Sequence, residues 1–335
     1  MAAKTWELRS GDDRAVISAS GAVALSWVVA RDDGECELLD GYRDSTEHAE
    51  LHGYRNAVLA PWSNRIRDAR FGFGGRDVDL GPDEAGVREA LHGLVCGNDF
   101  VELVAEEDRV VLASQIAAGE YPWSLQVHVE YRLVGVGAHR LDMEMRVANT
   151  GHEEAPVTLG WHPYLRHLGP KELGSIRVPA ATIVRNDAAN VPLPADAAFV
   201  SARDAIGADG RVCDTETRAS IIGGDIILAA PAGLDHAFTD LHRDGDGWAR
   251  AEVTHGDGSR VLVEFAPEQL GRGVGVFHVF TGEVVPERAG ESVAVEPCLM
   301  MTDAFNRDEC ADVIGLAPGA VRTLRAGLVF SETAS

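Results

Sequence analysis

From Trp123 to Leu133 the chain reads Trp-Ser-Leu-Gln-Val-His-Val-Glu-Tyr-Arg-Leu, apolar at every odd position and polar at every even one. A period of two sends alternate side chains to opposite faces of a strand, and a helix could not bury such a set. Leu141 to Val147 repeats the pattern after the turn-like stretch from Gly135 to His139, so the two segments predict an antiparallel hairpin with one buried face. Ala249 to Val253 and Arg260 to Phe265 predict another, joined through His255-Gly-Asp-Gly-Ser259. Further strands are expected at 14–30, 101–105, 109–116, 155–160, 225–230, 274–281, 292–296 and 321–330, with short helices at 44–53 and 303–311. The 36 glycines and 14 prolines supply the turns that so many strands need. Alternating βαβ units, a GxGxxG after a strand and a GxxxxGK[ST] loop are all missing from the sequence, which disfavours nucleotide folds. The expectation is an all-β fold, a large antiparallel β-sandwich with few short helices, in which residues 1–335 form one domain.

Composition narrows the partners. Fifty-three acidic side chains against thirty basic ones give a formal net charge of −23, a surface that repels phosphate backbones. No segment approaches the roughly 20 apolar residues of a membrane-spanning helix. The opening MAAKTWELRSGDDR lacks the apolar core of a signal peptide. The five cysteines are scattered and form no CxxC pair, as expected for reduced thiols rather than disulfides or a zinc site. These features predict a cytoplasmic protein that acts on a small molecule, with neither nucleic acid nor membrane as partner.

Several segments carry chemistry-bearing residues. His48 and His52 are four apart, but Ala49 stands where a zinc-protease motif needs Glu, so a solvated helix face is the better reading and no metal is expected. More informative are Ala60-Pro-Trp-Ser-Asn-Arg-Ile-Arg67, Gly160-Trp-His-Pro-Tyr164, and Val293-Ala-Val-Glu-Pro297 followed by Asp303-Ala-Phe-Asn306. His162 and Glu296 each precede a proline, which forces extended backbone and projects both from stiff strand ends. Alternation puts Glu296 on one strand face with the small Ala294, opposite Val293 and Val295. Taken alone, these residues equally allow a solvent-facing glutamate and a packed histidine.

PWSNRIR, His92-Gly93, GWHPY, Leu234-Asp-His-Ala-Phe238 and AVEP…DAFN, in that order, resemble the aldose 1-epimerase (galactose mutarotase) family across nearly the whole chain. The resemblance implies that family's β-sandwich and cofactor-free interconversion of the α and β anomers of a free aldose. It also implies Glu296 and His162 as the catalytic base and acid, with Asn64, Arg65, His92 and Asp235 holding the sugar. Trp62 or Tyr164 would pack against the sugar's C–H surface. His278 stands where relatives often carry glutamine, and would keep Glu296 ionised by touching it. The run Leu94 to Phe100 departs from the basic and aromatic run of many relatives and would lie beside the sugar. Two rival readings are an epimerase of the same fold acting on a hexose phosphate, and a non-catalytic sugar-sensing sandwich.

Overall fold

The computed structural model describes residues 3–83, 86–117, 119, 121–169, 174–213, 215–282 and 288–332. Strands Leu125–Val134 and His139–Asn149 form the expected hairpin, pairing from Leu125 with Asn149 to Leu133 with Leu141. Their apolar odd positions are buried, so the two-residue period does mark the inward face. This hairpin belongs to a ten-stranded antiparallel sheet that also contains the second expected hairpin, Ala249–Thr254 with Arg260–Phe265.

An eight-stranded antiparallel sheet carries, in spatial order, Phe199–Ser201, Ala180–Val184, Asp235–Leu241, Val274–Phe280, Ser292–Met300, Gly160–Trp161 and Val58–Leu59. Its remaining strand, Tyr164–Arg166, also pairs with Ser292–Met300. Side chains of the two large sheets meet in one continuous apolar core. Phe265 of the first sheet and Phe277 of the second stand edge to face at 5.9 Å, and Tyr131 meets Trp161 at 6.3 Å.

Some expectations need correction. Residues 14–30 form two strands, Asp13–Ser18 and Ala24–Arg31. The turn between them uses Gly21 at φ +68°, where an added Cβ would lie 2.4 Å from the Cys96 carbonyl oxygen. Residues 155–160 split into the short strands Ala155–Pro156 and Gly160–Trp161. The expected helix at 44–53 is a single capped turn, Ser45–Ala49, followed by a 3-10 turn; 303–311 holds two 3-10 turns before a short helix at Ala311–Ile314.

Glu296 does not end a strand either. Ser292–Met300 is continuous and wholly buried. The two strands on its far side, Gly160–Trp161 and Tyr164–Arg166, pair at Cys298 and Ala294 and leave 295–297 opposite a gap. Pro297, which has no N–H to give, is tolerated there. The same gap holds His162 and Pro163, and this brings the histidine to the glutamate.

Candidate functional site

Alternation along Ser292–Met300 sends Ala294, Glu296 and Cys298 to the face away from Val293, Val295 and Leu299. His278 lies directly across from Glu296 on the neighbouring strand, and Asp235 lies across from Phe280 on the next. Three adjacent strands thus deliver a carboxyl, an imidazole and a second carboxylate to one surface.

Asn64 and His92 arrive from loops, both in the left-handed region at φ 57° and 61°. The Asn64 N–H donates to His92 Nδ1 at 3.2 Å, and the His92 N–H donates to the Asn64 carbonyl at 2.9 Å. Gly93 follows at φ +78°, where an added Cβ would lie 2.2 Å from the Ala60 carbonyl oxygen, so only glycine fits. The Asp303-to-Asn306 motif staples the arginine loop from beneath. The Asp303 N–H donates to the Arg65 carbonyl at 2.8 Å, the Arg67 N–H donates to Asp303 Oδ1 at 2.9 Å, and Asn306 donates to the Arg70 carbonyl at 2.9 Å.

The result is a cavity of about 660 Å³, including its open mouth. Glu296, His162, His92, Asn64, Arg65, Asp235, Tyr54, Tyr164, Phe280, Leu91 and Gly53 line it. His162 Nε2 stands 3.4 Å from Glu296 Oε1, too long for a strong hydrogen bond. Glu296 Oε2 is buried and has no hydrogen-bond partner among the described residues. Its carboxyl is pushed up to about 8 by burial, which the nearby His278 only partly offsets. Burial, with His278 close by, pushes the His162 imidazole down to about 3. His92 is likewise driven well below the ordinary histidine range by burial and by His162.

His278 behaves differently. Its Nε2 meets Asp235 Oδ1 at 2.6 Å. Burial opposes its charge, but Glu296 and Asp235 outweigh that and raise it above the ordinary histidine value. Asp235 is correspondingly held low despite its burial, by its bond to His278. Its other oxygen accepts from Asn190 Nδ2 at 2.9 Å and lies 3.8 Å from Arg65 Nη1.

All seven residues singled out from the sequence meet here: six line the cavity, and His278 sits behind Asp235 and Glu296. His278 does pull the Glu296 carboxyl down, as expected, but it does not keep it ionised. Desolvation of the carboxyl outweighs the attraction of one imidazolium. Trp62 is a core residue, donating to the Ala90 carbonyl at 2.5 Å and packing near Tyr121 and Phe305, whereas Tyr164 does line the cavity. Within 94–100 no residue lines it; Val95, Cys96 and Phe100 are buried. His48 contacts the Ser20 carbonyl and stacks on Tyr42. Among the described residues no group of three His, Cys, Asp or Glu is placed to hold a metal ion.

Sequence reasoning missed Tyr54, Phe280, Asn186 and Asn190. Asn186 donates to the Asp235 carbonyl at 3.1 Å, so the 186–190 loop clasps Asp235 twice. Phe280 was legible by alternation, two positions after His278. The asparagines sit in a loop whose path no local pattern records.

A family model described as aldose 1-epimerase matches residues 4–325. Among curated proteins of Escherichia coli (strain K12), YphB is 24% identical over 268 residues, 79% of this chain and 80% of that protein. YihR is 34% identical over 111 residues, only 32% of this chain and 35% of its own length. Among solved structures, the GalM/aldose epimerase homologue of C. elegans superposes with TM-score 0.77 at 15% identity, covering 99% of this chain and 100% of that one. Galactose 1-epimerase from Lactobacillus acidophilus NCFM gives TM-score 0.71 at 14% identity, covering 99% and 100%. At such identities the structural likeness speaks for the shared β-sandwich alone.

Proposed function

The chain belongs to the aldose 1-epimerase family, and from that premise we propose that it interconverts the α and β anomers of a free aldose without a cofactor, using Glu296 and His162 as the proton-transferring pair. The observation that carries this reading is the pair itself. The two groups are buried, 3.4 Å apart, and both face one cavity.

Ring opening removes the proton from the anomeric hydroxyl and delivers one to the ring oxygen as the C1–O5 bond breaks. The aldehyde then turns about one bond, and closure on its other face returns both protons. Glu296 takes the anomeric proton and His162 gives the other; on closure the two exchange roles. One proton shared by the pair suffices for the whole cycle. With the groups at about 8 and about 3, the pair holds one proton between those limits. That proton rests on Glu296. A sugar hydroxyl donating to the unpartnered Oε2 favours the ionised carboxylate. The proton then passes to His162 Nε2, 3.4 Å from Oε1, which leaves Glu296 as base and His162 as acid.

The surrounding donors suit a polyol. Asn64 Oδ1 is committed to the N–H and Nη1 of Arg65, at 2.9 and 3.3 Å, which leaves its Nδ2 for a hydroxyl. Asp235, with partners on both oxygens, forms a fixed wall with His278 and Asn190. For a hexose phosphate the candidate cations are Arg65, Arg67 and Arg70. Arg65 lines the cavity but faces Glu89 at 3.5 Å and Asp235 at 3.8 Å. Arg67 and Arg70 are engaged by Asp187 and Asp79 and do not line it. The continuous core supports residues 1–335 as one catalytic domain, and the reduced cysteines and acidic composition support a cytoplasmic setting.

Polarimetry on freshly dissolved aldoses and their 6-phosphates tests this reading. A saturable acceleration is expected for at least one free aldose. Retained binding with no acceleration across the panel would replace the enzyme with a sugar-sensing protein.

His278 offers a further check on the electrostatics. Replacing it with Gln removes a cation that pulls the Glu296 carboxyl down. The alkaline limit of kcat/KM is therefore expected to move to higher pH in His278→Gln, as measured across a series of buffers of constant ionic strength.

A further inference from the structure

Behind the cavity lies a charged cluster that the chemistry above does not use. Asp40 is fully buried and Arg55 nearly so, and their side chains meet at 2.6 Å. Asp40 also accepts from Ser292 Oγ at 2.7 Å, contacts Arg288, and lies 3.2 Å from Arg166. Buried ion pairs are a weak source of stability, because desolvation consumes most of the Coulombic gain. This cluster therefore calls for another account.

Its position supplies one. The Arg55 guanidinium lies 4.5 Å from the centre of the Tyr164 ring. That ring stacks on the His162 imidazole at 4.9 Å, only 9° from parallel. The backbone on either side of His162 is clamped by the segment carrying Arg55. The His162 N–H donates to the Ala57 carbonyl and the Asn56 N–H to the His162 carbonyl, both at 3.0 Å. The Tyr164 N–H donates to Asn56 Oδ1 at 2.8 Å, and its hydroxyl donates to the Gly53 carbonyl at 2.9 Å. Asp40 closes the arrangement, its own N–H donating to the Tyr164 carbonyl at 2.9 Å. Ser292 begins the strand that carries Glu296, so one carboxylate braces the elements of both reacting groups.

We propose that Arg55 is a positioning residue for His162: anchored on Asp40 and lying against the Tyr164 ring, it fixes the plane in which the imidazole meets the substrate. A cation against an aromatic face is attracted by the ring quadrupole, the more so where water is excluded. Holding the ring holds the histidine stacked on it. The inference rests on the reading of His162 as an acid–base group, because only a proton-transferring imidazole needs its plane fixed so closely.

Two variants separate this role from a merely structural one. Arg55→Lys keeps the charge opposite Asp40 but loses the planar group that lies on the ring. Arg55→Met removes the cation from the ring while Arg288 and Arg166 still face Asp40, so that the carboxylate is not left without a partner. In whichever folds, kcat is expected to fall about ten- to a hundredfold, the effect of a slightly misplaced catalytic group, while KM stays unchanged. The ring protons of His162, shifted upfield by the Tyr164 stack, are expected to move downfield in NMR spectra of the same proteins. That second readout needs no turnover, so it decides the positioning role even if the protein accelerates no aldose. A folded variant with wild-type kcat, a loss confined to KM, or unmoved His162 ring signals would each overturn the proposal.

Discussion

Replacing Glu296 with Gln is expected to lower kcat by about 10²–10⁴-fold, the range for loss of a positioned general acid–base group, while sugar affinity survives. The amide keeps the size of the carboxyl and its place opposite His278, so the strand Ser292–Met300 should hold its shape. The same change is expected to stabilise the fold at alkaline pH. The folded protein holds Glu296 at about 8, above the ordinary carboxyl value near which the unfolded chain titrates. Between those values the folded state binds more protons than the unfolded one, so this group's contribution to stability falls as pH rises through the window. Glutamine has no proton to lose. The melting temperature of Glu296→Gln should thus exceed that of wild type above pH 8, and the difference should close toward pH 4, as differential scanning fluorimetry across pH would record.

The second large effect concerns His162. His162→Asn removes the titrating group that stands 3.4 Å from Glu296 Oε1 and leaves a polar side chain in its place. A kcat loss of about 10²–10⁴-fold is expected. The stability cost should be modest, because the surrounding backbone is held by Asn56 and Ala57 rather than by the imidazole. The two variants should also be far from additive. A proton pair acts as a unit, so the double variant should be little slower than the worse of the two singles. If His162→Asn instead melts well below wild type and keeps its activity per folded molecule, the histidine is a packing residue.

How much of this was legible beforehand follows physical lines. Alternation is a local signal, so the hairpins at Leu125–Asn149 and Ala249–Phe265 could be read directly, as could the shared face of Ala294 and Glu296. The strand Asp235–Leu241 shows no such period, with Ala237, Phe238 and Thr239 buried in succession. Both its faces are covered at those three positions, and its Asp and His mask it further. The gap that seats His162 depends on where Pro163 breaks the pairing beside Ser292–Met300, and that is a matter of long-range register. The ionisation of Glu296 was also out of reach. Proximity to His278 could be foreseen from strand pairing, but complete burial, which reverses the expected sign, exists only in the folded chain. Arg55 and Asp40 stand in no motif; only the fold brings them to Tyr164.

The central claim is that a single proton shared by Glu296 and His162 carries the reaction, and the pH dependence of kcat/KM on the most responsive aldose tests it most directly. The profile reports the free protein, so its limits should be those of the pair. With the groups at about 3 and about 8, kcat/KM should stay level from mildly acidic pH to neutrality and fall tenfold per unit on the alkaline side of about 8. The residual activity of Glu296→Gln should show no such alkaline fall. A wild-type rate that climbs steadily through pH 8, or an alkaline limb that persists in the Gln variant, would contradict the shared-proton account.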